Sequence, residues 1–274
     1  MILAAYMVTG FTVAGVYAAG ILRGRRDRYH YTGFALGFVP AAVLTPFQIF
    51  VGDTAARAIA QDHPVKFAAM EYVARTSRQV PEWLGGVYVN GRIYAGLRIP
   101  YMDSLLVGFG PGTQVTGWDT VPPAERPPVV WLIHLCFDVM VGLGFLLLLA
   151  GLWVLFEWWR RRRLPRARLF WAVGAISGVA AIVAMECGWV VTEVGRQPWV
   201  VYQLQTTAAA ATTNGGVLAS LSLVIVGYAL LGAATIVILR MLARRWRRGG
   251  AAEVAVPYGP PPALADEPAG QPES

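Results

Sequence analysis

The chain has 274 residues, 56% of them apolar and 14% charged, with a net charge of +7. Apolar residues gathered in blocks of membrane-spanning length exclude a soluble globular domain and define an all-α integral membrane protein. The basic excess sits in short clusters rather than along one face, which excludes a nucleic-acid-binding surface.

About five transmembrane helices are expected, over residues 2–22, 31–51, 129–158, 169–191 and 217–242. No basic residue precedes the first and an arginine cluster follows it, which suits a retained helix rather than a signal peptide. Most of the 23 basic residues fall at 23–28, 160–168 and 240–248, after the first, third and fifth helices and therefore on one side. The positive-inside rule makes that side cytoplasmic. The N-terminus is then outside, the C-terminus cytoplasmic, and the long loop between the second and third helices extracytoplasmic. The expected organisation is two transmembrane helices in 1–51, the loop in 52–128, three transmembrane helices in 129–248, and a disordered tail in 249–274 rich in Ala, Pro and Gly. Cys136 and Cys187 lie inside expected helices without Cys-x-x-Cys spacing and read as buried thiols.

The loop is long enough to expect a function of it. It opens with Gly52-Asp53, and from Pro64 the run Pro64-Val65-Lys66-Phe67-Ala68-Ala69-Met70-Glu71 predicts a short helix with proline at its start. Lys66 and Glu71 diverge by about 140° on that helix and make no ordinary i,i+4 pair. Two readings are open: solvated charges on a surface helix, or a base and an acid that hold the two oxygens of a quinol. Gly85-Gly86 and Gly108-Phe109-Gly110-Pro111-Gly112 mark turns, and the loop aromatics suit a lipid–water boundary.

In the third helix His134 and Asp138 are i,i+4 and suited to pair. Met140 lies about 16 Å along the axis, with Gly142 and Gly144 thinning the helix after it. A methionine there is ordinary packing, or a soft axial ligand for haem beside a face that admits a flat macrocycle. The fourth helix ends in Gly188-Trp189-Val190-Val191-Thr192-Glu193-Val194-Gly195-Arg196-Gln197-Pro198-Trp199. At about 100° per residue, Glu186, Trp189, Glu193 and Arg196 share one stripe. An ionised carboxylate on a membrane helix needs a partner or a task. Neutralisation by packing and by Arg196 is one reading; a cofactor or proton site near the membrane surface is the other.

Three ordered motifs together resemble subunit I of the cytochrome bd-type quinol oxidases. They are the loop pattern Gly52-Asp53 with Lys66 to Glu71, the run Phe137-Asp138-Val139-Met140-Val141-Gly142-Leu143-Gly144, and Gly188-Trp189 with Glu193 and Gly195-Arg196-Gln197-Pro198-Trp199. The resemblance covers residues 1–245 and is of the short-loop type. It implies that Lys66 and Glu71 serve quinol oxidation, and that Met140 is an axial ligand of a low-spin haem b. It implies that Glu193 ligates a high-spin haem b, with Trp189 beside it and Arg196 near haem propionates. It further implies haem d or a third haem b in the complete subunit, oxygen as electron acceptor, a second subunit with small accessory subunits, and a place in the bacterial inner membrane. The activity implied is transfer of electrons from quinol through haem b to oxygen, which gives water and contributes to the proton gradient. Only the family's later helices are matched. The helices that carry the haem d ligands, the proton-path carboxylates and the histidine opposite Met140 have no counterpart, so a fragment is expected: a displaced start at Met1, or the second half of a split gene. The alternatives are a non-catalytic half-subunit or scaffold, and an ion transporter or channel that uses Glu186, Glu193 and Asp138.

Overall fold

The computed structural model describes residues 1–247; the tail expected to be disordered lies outside the described residues. Among the described residues eight α-helices run in order: α1 Ile2–Leu22, α2 Arg28–Asp62, α3 Pro64–Met70, α4 Met102–Gly108, α5 Val130–Arg161, α6 Arg168–Gly195, α7 Thr207–Ala210 and α8 Val217–Arg247. Five of these elements, α1, α2, α5, α6 and α8, are long and apolar enough to cross a membrane, in agreement with the sequence.

The described residues divide into two units, one of Met1–Ala211 and one that begins at Thr212. In the first, α1 packs on α2 and α6, and α5 packs on α6 and α2, which closes a four-helix ring. A bilayer gives helices no hydrophobic reason to associate, so close backbone approach has to supply the contact. Gly37 provides it between α1 and α2: a Cβ there would stand 2.7 Å from Gly10 O. Between the helices Phe11, Phe34, Phe38, Phe170 and Trp171 form a buried aromatic core, Phe34 and Phe38 stacked at 4.9 Å and the others meeting edge to face. The second unit contains α8, a helix with apolar side chains all around it.

Helix α2 runs to Asp62, beyond the expected end at 51, so Gly52-Asp53 is inside a helix and the loop proper begins at His63. The physical reason is local. The stretch after Gly52 is rich in alanine, Asp53 and Arg57 close an i,i+4 pair at 2.6 Å, and no breaker occurs before Pro64. At 35 residues α2 is about 52 Å long, more than a bilayer's hydrocarbon thickness. The loop folds on its own small core of Val65, Phe67, Tyr72, Val73, Val80, Val115, Trp118 and Val121. It also holds antiparallel strand pairs that the helical reading did not anticipate, Glu82–Leu84 with Leu97–Ile99 and Val87–Val89 with Arg92–Tyr94. The inner hairpin turns on Asn90-Gly91, both at positive φ (48° and 81°), the two-residue turn whose twist suits a hairpin.

Candidate functional site

Helix α3 forms where expected, with Pro64 in its first turn. Its charges are not solvated. Lys66 is 7% exposed and Glu71 3% exposed, which overturns the surface-helix reading. They face different surroundings, as the angle between them requires. Lys66 lies against the end of α6, where a Cβ on Gly195 would stand 3.3 Å from its Cγ. Burial first, and then the charge of Arg196, hold the Lys66 amine below its ordinary range, with Glu193 opposing. Among the described residues Lys66 forms no ion pair.

Glu71 caps the other end of α3 among acids from three further segments, Glu82, Asp103 and Asp138. Its Oε2 and both oxygens of Asp103 are buried without a hydrogen-bond partner. Burial, and then Asp103, push the Glu71 carboxyl well above the carboxylate range; burial and Glu82 push Asp103 up to about 9. A buried acid that costs this much to ionise keeps its proton near neutral pH, and so is suited to take up or pass on protons rather than to hold a charge. Sequence reading left Asp103 and Glu82 out. Neither carries a local signal, because only the folded loop brings them to Glu71.

Helices α5 and α6 run antiparallel, and two contacts give their register. A Cβ on Gly195 would meet Ile133 at 3.6 Å, and one on Gly188 would meet the Met140 sulfur at 2.9 Å. Met140 therefore lies on the bare backbone of Gly188, while Glu193 is level with the turn before it, about 7–8 Å away along the axis. Glu193 accepts a 2.6 Å bond from Arg196 Nη2, so the ion pair of the plainer reading is formed. Trp189 and Glu186 of the same stripe are exposed, Trp189 to 64%.

Around Arg196 the structure collects donors that the sequence reading did not join. Arg196 Nε, Trp199 Nε1 and both ring nitrogens of His63 are buried without partners, and the Tyr202 ring lies tilted over His63 with centroids 4.1 Å apart. Burial, and then the Lys66 charge, hold the His63 imidazole below its ordinary range. The cluster offers the Arg196 and Trp199 donors and, from the neutral His63 ring, one donor and one acceptor nitrogen. Such a set is suited to a carboxylate-bearing or carbonyl-bearing group.

Together these features define a multi-pass membrane protein with a folded loop packed on its helix ends, and with candidate ligands at two depths of one helix pair. The sequence profile of the family described as cytochrome bd terminal oxidase subunit I matches residues 1–246, and the chain belongs to that family. It is 29% identical over 249 residues to a protein of Bacillus subtilis (strain 168) provisionally named cytochrome bd menaquinol oxidase subunit I, covering 87% of this chain and 55% of that one. It is 26% identical to the cytochrome bd ubiquinol oxidase subunit 1 of the same organism, covering 74% and 46%. The structure of bd oxidase from Geobacillus thermodenitrificans superposes with a TM-score of 0.73 at 32% identity, covering 89% of this chain and 56% of that one. The chain spans about half the length of the relatives it matches.

A cytochrome family implies haem, and the residues present fit it. Met140 offers a thioether, and on its stripe of α5 Gly144 leaves open space where a flat group can lie. The orphaned donors of His63, Arg196 and Trp199 are of the kind that propionates require.

Proposed function

We propose that this chain is the quinol-facing, haem-ligating part of a cytochrome bd-type quinol oxidase. The complete enzyme passes electrons from quinol through haem b groups to oxygen, makes water and contributes to the proton gradient. The observation that carries the reading is α3 itself: one short helix buries a base at its start against the α6 exit and an acid at its end among other acids.

In this reading residues 52–128 bind quinol on the outer face, with the N-terminus outside and the arginine clusters in the cytoplasm. Lys66 holds one quinol oxygen. Glu71, protonated at rest because burial raises its carboxyl, passes its own proton toward the Asp103 and Glu82 carboxyls, which release one outward, and takes the hydroxyl proton of the other quinol oxygen in its place. Met140 would hold a low-spin haem b and Glu193 a high-spin haem b, with Trp189 beside the second and Arg196 placed to pair with propionates. Haem, when bound, supplies one-electron chemistry that no side chain offers. The remaining ligands, haem d or a third haem b, and the oxygen site belong to other parts of the enzyme, including its second and accessory subunits. The test is Glu71→Gln in the assembled oxidase. Quinol turnover is expected to fall at least tenfold with the haem spectrum intact, and unchanged turnover rejects the role of the loop.

A further inference from the structure

His134 is fully buried at the start of α5, and its ring meets the loop at Met70, Tyr72 and Gly85. Its Nδ1–H donates to Met70 O at 2.6 Å, and its Nε2 stands 3.2 Å from Gly85 O and 3.3 Å from the Asp138 carboxylate. Asp138 in turn accepts a hydrogen bond from Gly85 N. The ring stacks on Tyr72 at 3.8 Å, and Tyr72 Oη donates to Gly86 O at 3.3 Å. His134 thus grips the residues on both sides of Glu71 and the Gly85-Gly86 turn facing them.

The backbone there needs such a grip. Helix α3 ends with Val73 N donating to Ala68 O, which forces Tyr72 into the left-handed region at φ 55°. Glycine usually takes that place, because a Cβ crowds the backbone in the left-handed region. A tyrosine held in that conformation, stacked on a buried ring, fixes the direction in which Glu71 leaves the helix.

We infer that His134 is a positioning residue for Glu71, acting chiefly through its Nδ1 bond to Met70 O. The inference rests on the quinol role given to Glu71 above. Asparagine places its amide near the histidine Nδ1 position and glutamine places its amide near Nε2, so two substitutions separate the two bonds. In the assembled oxidase in membranes, with decylubiquinol and menadiol as probes, His134→Asn is expected to retain at least a third of kcat/KM. His134→Gln is expected to lose at least tenfold in kcat, with the haem difference spectrum unchanged in both. A packing role gives the reverse order, because glutamine is nearer histidine in volume; that order, or equal activity, overturns the inference. If neither variant holds haem, Tyr72→Leu replaces them: a fall of at least fivefold in kcat/KM supports the inference, and no fall overturns it. Glu71→Gln separates the two failures. Full turnover in it overturns the role of Glu71 and this inference together, whereas slow turnover in it with equal His134 variants overturns this inference alone.

Discussion

Lys66 lies over Gly195, a lysine from the long loop covering a glycine in the last turn of a membrane helix. The contact joins the segment that would meet quinol to the motif that carries Glu193 and Arg196. A Cβ on Gly195 would stand 3.3 Å from Lys66 Cγ and 3.4 Å from its Cε, close enough that the side chain must yield by a few tenths of an ångström.

Gly195→Ala is therefore expected to raise KM for quinol two- to three-fold, about 0.5 kcal/mol, with the haem spectrum unchanged. Gly195→Val, with two further methyl groups, is expected to raise it at least tenfold. Steady-state kinetics of membranes containing each variant checks both; equal KM values in the three proteins would falsify the contact's importance.

Asp103 allows a pH prediction. Its folded-state pKa of about 9 is above the unfolded value of about 3.9, so its contribution to stability is fully present below pH 4 and is lost as pH rises toward 9. Asp103→Asn removes that loss. The variant should match the parent near pH 4 and gain over it by up to about 1.4 kcal/mol per pH unit above that. Protease nicking of the loop at pH 5 and pH 8 reads the difference; a gain larger at pH 5 than at pH 8 contradicts the assignment.

Met140→Leu keeps volume and removes the sulfur, so helix packing on Gly188 survives at a cost below about 1.5 kcal/mol. In the complete oxidase it is expected to abolish the low-spin haem b absorbance while the remaining haem signals persist. A normal low-spin spectrum in this variant excludes Met140 as a ligand.

Gly37→Ala tests the helix ring away from the site. The added Cβ would meet Gly10 O at 2.7 Å and Ala14 N at 2.9 Å, backbone atoms that cannot turn aside as a side chain can. Helices α1 and α2 must move apart, at about 1–3 kcal/mol. Thermal unfolding in detergent should show a lowered Tm with an unshifted haem spectrum; an unaltered Tm means the helices separate more easily than their packing implies.

Much was legible in the residues alone. The membrane helices follow from runs of apolar residues, because in lipid the backbone must bond to itself and a helix does so without help from distant segments. Helix α3 was legible from Pro64, and the pairing of His134 with Asp138 from their spacing. These are local relations, and local physics decides them. The Gly188 to Trp199 run showed where charge meets the membrane and offered Arg196 as a partner for Glu193, and the fold closes that pair.

Only the folded chain decided the rest. The burial of Lys66 and Glu71 depends on α3 packing against α2, α5, α6 and the segment at Trp118, and no property of positions 66 and 71 announces it. Asp103, 32 residues beyond Glu71, joins it through the packing of α4 and the hairpins. His134 looked like half of an ion pair and proved also to hold Met70, Tyr72 and Gly85. Sequence patterns report which residues share a helix face. Which segments meet is set by long-range burial, whose reward appears only once the distant surfaces are in contact.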